Sequence, residues 1–217
     1  MNRLVLVRHG GSTGNEDSAF YAYNDSAICL TTNGIRQALN TAQVLDDIDP
    51  TGWSKPGNFD LEVFASEYAR AQQTARIVLD QMGLLSITPR ISSLLNERNY
   101  GTNYLPDMDA VADFSGNQSE SSIRARVRTK ALIRMVEPIL ERADVLCFSH
   151  FGTMRALIAN LTDLSDAEMT TIDIPNGRAF LFERQIRPEG GYAYIEQELP
   201  DHILEKVEPF ISPVPAI

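Results

Sequence analysis

Short, uninterrupted apolar runs alternate along this chain with longer stretches in which apolar residues return every three or four positions. Leu4-Val5-Leu6-Val7 is apolar at four successive positions, the pattern of a strand buried on both faces. Val145 to Phe148, ahead of Ser149, repeats it, and Leu61 to Ala65, interrupted by Glu62, reads as a further strand. Ile35, Ala38, Leu39, Ala42 and Leu45 fall at helical spacing and predict an amphipathic helix over 33–46, with Thr32 as its N-cap. Ala71, Ala75, Val78, Leu79 and Met82 predict a helix ending near Gly83. Ile123, Val127, Ala131, Met135 and Ile139 form an i+4 stripe that predicts a helix over 123–142, which Pro138 should kink or shorten. Met154, Leu157, Ile158 and Leu161 mark the next helix, and residues 178–185 and 192–198 flank Glu189-Gly190-Gly191 as a hairpin. The alternation is that of an α/β protein. Its 217 residues suit one domain, 1–217, with 99–122 as a polar, lid-like insertion and 200–217, which holds Pro209, Pro213 and Pro215, as an irregular tail.

Composition narrows the partners. Nineteen Lys+Arg against 29 Asp+Glu give a net charge of −10, which argues against non-specific nucleic-acid binding and against a basic membrane-binding surface. No apolar run approaches the ~18–20 residues of a membrane helix, and no leader-like segment precedes Arg8-His9, so a cytoplasmic protein is expected. Two cysteines make no disulfide framework, and Cys147, inside Val145-Leu146-Cys147-Phe148, reads as a core residue.

The chemistry gathers where strands end. The first run leads into Arg8-His9-Gly10, and the third into Ser149-His150. Open α/β sheets bind ligands beyond the carboxyl ends of their strands, so parallel neighbours would set His9 and His150 across one crevice. A zinc site would need a third ligand and no adjacent cation, and Arg8 speaks against it. An arginine fork speaks for an oxyanion. Gly10, Gly11 and Gly14 make a glycine-rich loop without the Gly-Lys-Ser/Thr ending of a P-loop.

Five motifs in order then resemble the histidine phosphatase superfamily, the phosphoglycerate-mutase-like group. They are Arg8-His9-Gly10-Gly11-Ser12-Thr13-Gly14-Asn15; Leu30-Thr31 with Gly34, Gln37 and Ala38; Ser66 with Arg70-Ala71-Gln72-Gln73-Thr74-Ala75; Leu95-Asn96-Glu97-Arg98-Asn99-Tyr100-Gly101; and Ser149-His150 with Arg155. The resemblance implies a three-layer α/β/α sandwich with a mainly parallel central sheet. It implies His9 as phosphoryl-accepting nucleophile, Arg8, Arg70 and His150 as clamps on the phosphoryl oxygens, and Glu97 as general acid. Asn15, Ser12, Tyr100, Phe151 and Gly152 are the expected substrate contacts. No metal and no cofactor is expected, since guanidinium groups supply the positive charge.

Three departures from the family pattern bear on function. Gly11 stands where Glu or Gln is usual, Ser26-Ala27-Ile28-Cys29 replaces the usual Asp and Pro, and Phe151 replaces the glycine after the second histidine. Phe151 disfavours positive φ, which leaves Gly152 to supply flexibility, or Phe151 rims the pocket. Taken singly, Arg70 pairs equally well with Glu67 one turn away, Asn15 reads as a cap, and Arg155 reads as a structural ion pair. Residues 101–120 hold no Lys or Arg but include Asp107, Asp109 and Asp113, a lid that repels polyanions. The expectation is therefore hydrolysis of a small, modestly charged phosphomonoester by a protein that allows for a homodimer. A phosphoglycerate mutase (an isomerase) and a non-catalytic phosphate-binding domain are the alternatives.

Overall fold

The computed structural model describes residues 3–18, 21, 25–48, 61–100, 119–188 and 191–197. Most of 99–122, the tail 200–217, Tyr23, Tyr104 and His202 lie outside them. Among the described residues the strands are β1 (Arg3–Arg8), β2 (Leu61–Ala65), β3 (Arg90–Ile91), β4 (Asp144–Ser149), β5 (Ala179–Ile186) and β6 (Tyr192–Gln197). The helices are α1 (Thr13–Glu16), α2 (Thr32–Ile48), α3 (Ala69–Gln81), α4 (Ser122–Val136), α5 (Phe151–Leu161) and α6 (Asp166–Thr171). The strands form one sheet in the order β3-β2-β4-β1-β5-β6. β3, β2, β4 and β1 run parallel, and the β5–β6 hairpin joins β1 antiparallel, so the sheet is mainly parallel with an antiparallel edge.

Continuous apolar strands follow from covering both faces. Successive side chains of a strand point to opposite sides. Leu4 and Leu6 of β1 join Val145 and Cys147 against Leu132, Val136, Met154 and Leu157 of α4 and α5. Val5 and Val7 join Leu146 and Phe148 against Ala38, Ala42 and Leu45 of α2 and Ala75, Val78 and Leu79 of α3. The result is the expected three layers. Burial pushes the Cys147 thiol up to about 12, as suits a core residue. Among the described residues, no helix is long and apolar enough to cross a membrane.

Three sequence expectations change. Thr31, not Thr32, caps α2, because the Thr31 hydroxyl accepts from the Gly34 N–H three positions on. α4 stops at Val136, two residues before Pro138, and its buried face is not the Ile123/Val127/Met135 stripe. Those three are 67%, 63% and 38% exposed, while Ala125, Thr129, Leu132 and Val136 face inward. The reason is close helix contact: Ala125 packs with Ala156 and Ala159 of α5, and a face of small residues has little apolar weight in a sequence pattern. Finally, Phe151 is the first residue of α5 and takes no positive φ, and Gly152 takes none either. Flexibility is not what that position requires.

Candidate active site

Parallel register brings the site together. Arg8 of β1 pairs with Ser149 of β4, so His9 and His150 each lie one residue past the same rung. The His9 N–H continues the ladder to the Ser149 carbonyl at 3.0 Å. The two rings face each other with centroids 5.0 Å apart. β2 ends at the same level, where the Ser66 N–H bonds the Phe148 carbonyl and the Ser66 hydroxyl lies 2.8 Å from His150 Nε2.

His9 is 2% exposed, and each ring nitrogen has a partner. Nδ1 lies 2.7 Å from the Gly10 carbonyl oxygen, and Nε2 lies 3.2 Å from Arg70 Nε. A carbonyl only accepts and a guanidinium only donates. Nδ1 therefore carries the proton and Nε2 the lone pair. Burial first, then the charges of Arg70 and Arg8, hold the His9 pKa well below the usual imidazole range, against a smaller opposing pull from the Gly10 carbonyl. The ring is neutral at physiological pH, with the Nε2 lone pair turned to Arg70. The loop behind it is pinned: Gly10 N–H donates to Thr74 Oγ1 at 3.0 Å, and Asn176 Nδ2 and Gly177 N–H donate to the His9 carbonyl.

The tautomer of His150 follows from its neighbours. Asn96 Nδ2 donates to the Glu67 carboxylate at 2.6 Å, which turns Asn96 Oδ1 toward Ser66. That oxygen only accepts, so the Ser66 hydroxyl donates to it at 2.9 Å and accepts from His150 Nε2–H. His150 Nδ1 is left buried and without a hydrogen-bond partner. Burial, then Arg70, His9, Arg8 and Arg128, hold this ring's pKa well below the usual range too.

Arg70, 1% exposed, turns Nε to His9 and Nη1 to Asp25, reaching its carbonyl at 2.7 Å and its carboxylate at 2.8 Å. The alternative pairing with Glu67 does not form, because Glu67 holds Asn96. Tyr21 and Tyr68 wall the guanidinium at 5.5 and 5.0 Å from their ring centres. Arg8 donates through Nη1 to the Ile174 carbonyl and lies over Phe151 at 4.9 Å, with Arg155 stacked on the same ring at 4.0 Å. Phe151 is thus half-buried between two guanidinium groups, and Arg155 also donates to the Ile172 carbonyl.

Glu97 reaches the site from a loop. Its Oε1 accepts from the N–H groups of Arg98 (2.7 Å), Gly152 (3.0 Å) and Thr153 (3.2 Å). The last two open α5, where N–H groups have no partner within the helix. Gly152 allows this approach: a Cβ there would lie 3.1 Å from both Glu97 Oε1 and Arg98 Cβ, and closer still to the Tyr100 hydroxyl. Arg128 anchors the same loop from α4, donating to the Leu94 and Asn96 carbonyls while its fork holds both oxygens of Glu120. Asn15 ties its loop to a distant segment: its Oδ1 accepts from Ser12 N–H and from Asn176 Nδ2, and its Nδ2 donates to the Tyr21 hydroxyl.

Sequence reasoning missed Ser66 as a site residue, although it ends β2 just as His9 and His150 end β1 and β4. It missed Asp25 and Asn96 because neither lies near its partners in sequence. Among the described residues, no group of three His, Cys, Asp or Glu is placed to hold a metal ion.

Residues 4–187 match the profile of the histidine phosphatase superfamily (branch 1). A 2,3-bisphosphoglycerate-dependent phosphoglycerate mutase of Dichelobacter nodosus is 27% identical over 84% of this chain and 87% of its own length. The structure of a candidate alpha-ribazole-5'-P phosphatase from Escherichia coli is 26% identical, with a TM-score of 0.69 over 92% of this chain and 96% of its own. That of mycobacterial glucosyl-3-phosphoglycerate phosphatase is 22% identical, with a TM-score of 0.67 over 91% of this chain and 98% of its own, and speaks for the fold alone.

Proposed function

Because the chain belongs to the histidine phosphatase superfamily (branch 1), we propose that it hydrolyses a small phosphomonoester through a phosphohistidine on His9, without a metal, in the cytoplasm. The observation that carries this reading is the fixed tautomer of His9: a neutral ring, locked through Nδ1 to Gly10, with the Nε2 lone pair beside Arg70. Nε2 attacks phosphorus, the P–O ester bond breaks, and Glu97 protonates the departing alkoxide. Proton transfer runs through Oε2, because Oε1 is held by three N–H donors. Gly10 O steadies the positive charge that develops on the ring. Arg8 and Arg70 supply the charge that in-line phosphoryl transfer requires. Water then gives a proton to Glu97 and its oxygen to phosphorus, which frees His9 and inorganic phosphate.

Mutase action is the second reading. The run Leu95-Asn96-Glu97-Arg98 and the mutase relatives favour it, and the absence of Lys and Arg from 101–120 opposes it. The binding-domain reading loses its motive, since Phe151 sits in ordinary helical backbone and the Gly152 and Thr153 donors are in place. Phosphate release from p-nitrophenyl phosphate, with and without EDTA, tests the proposal. Turnover should persist in EDTA and fall more than ~10³-fold in His9→Ala. Interconversion of phosphoglycerates with little free phosphate would show a mutase instead.

A further inference from the structure

Among the described residues, Asp25 sets a carboxylate against Arg70, and it immediately precedes Ser26-Ala27-Ile28-Cys29, the segment that departs from the family pattern. Its Oδ1 is buried against Arg70 Nη1 at 2.8 Å, yet the side chain as a whole is 32% exposed, so its open side is that of Oδ2. Arg70 spans the gap between the nucleophile and this carboxylate, with Nε on His9 and Nη1 on Asp25. A phosphoryl group on His9 Nε2 therefore sits beside a guanidinium already half-neutralised. Asp25 alone weakens the hold on any dianion. A positive group on the leaving alcohol reverses that cost, because the charges then alternate: phosphoryl, Arg70, Asp25, ammonium. Tyr21 and Tyr68, which both sense the fields of Asp25 and Glu97, wall the same mouth with aromatic faces, surfaces that favour cations.

Resting on the phosphatase reading, we infer that Asp25 is a specificity-determining residue that selects phosphomonoesters of amino alcohols over neutral or acidic ones. Aminoethyl phosphate is the simplest such substrate. Propyl phosphate is the neutral match, and carboxyethyl phosphate the acidic one.

The test compares kcat/KM for these three esters in the parent protein and in Asp25→Asn. The parent should rank them in that order. The aminoethyl-to-propyl ratio should fall about tenfold in Asp25→Asn, the scale of one partly exposed ion pair. Each ester's own reactivity is the same with both proteins, so the change in ratio isolates the side chain. An equal loss on both esters would mean that Asp25 only positions Arg70, and a parent without preference would equally overturn the inference. Calorimetric binding of the same esters to His9→Ala, with and without Asp25→Asn, separates this from failure of the phosphatase reading. Binding that favours the amine and loses that preference with Asp25, in a protein that turns over nothing, would sink the reaction and keep the inference. Turnover without the preference would do the opposite.

Discussion

Replacing a helical glycine by alanine ordinarily stabilises a protein by ~0.5–1 kcal/mol. Gly34→Ala in α2 should do the reverse. A Cβ on Gly34 would stand 2.8 Å from the Gly11 carbonyl carbon and nitrogen and nearer still to the oxygen. All three are backbone atoms, so no side chain can swing aside, and restoring normal contact means parting helix and loop by about 1 Å. Neither side yields easily. Ala38, Ala42 and Leu45 hold the helix in the core at 0%, 0% and 1% exposure. The loop is held by Thr31 N–H on the Gly11 carbonyl at 2.9 Å and by Gly11 N–H on Gln37 at 2.6 Å. Overpacking costs about 1–3 kcal/mol. Two strained hydrogen bonds add about 1 kcal/mol each. With the helix gain subtracted, the net loss is about 2–4 kcal/mol. Gly11 lies two residues from His9, so whatever part of that shift reaches the ring should cost up to ~10²-fold in turnover of the folded fraction. Urea unfolding gives the first quantity, and p-nitrophenyl phosphate turnover by protein shown to be folded gives the second. A Gly34→Ala protein as stable as its parent, with turnover within about threefold, would refute the reasoning that this contact sets the loop.

Two further outcomes follow from the rings. His9 and His150 are neutral when folded, with pKa values below that of the unfolded chain, so their contribution is complete above pH ~6.5 and declines as pH falls below it. Each ring sets a slope of at most ~1.4 kcal/mol per pH unit, and unfolding free energies that stay flat between pH ~7.5 and ~5.5 would show that folding leaves the titration of the rings unshifted. Second, His150 Nδ1 carries a lone pair, so on the proposed reading it grips a phosphoryl oxygen only after gaining a proton. Binding of inorganic phosphate, measured by calorimetry in buffers of differing ionisation enthalpy, should take up close to one proton at pH ~8, where the dianion is already formed, and lose that uptake in His150→Gln. Binding with no net proton change would contradict the tautomer assigned through Asn96 and Ser66.

The sheet was legible because its strands are buried on both faces and so appear as unbroken apolar runs. The pairing of His9 with His150 was legible for the same reason, since parallel strands in one register end at one level. What escaped depended on contacts between distant segments. Asp25 meets Arg70 across 45 positions, and Asn96 meets Ser66 across 30, with no local pattern to announce either. β3 is two residues long, too short for any period. α6 was readable and was missed, since Ser165 and Glu168 form a capping box at its start. The inward face of α4 was misassigned because Ala125 and Thr129 have little apolar weight in a sequence pattern.

His9 and His150 stand at the ends of the two middle strands of the sheet, while Glu97, Tyr21, Tyr68 and Asp25 arrive on segments that lean against them. On the proposed reading, phosphorus chemistry falls to the most deeply embedded part of the molecule, and the choice of alcohol to its periphery. A lineage built this way can exchange one ester for another by revising a few loop residues, without reopening the question of how the bond is cut.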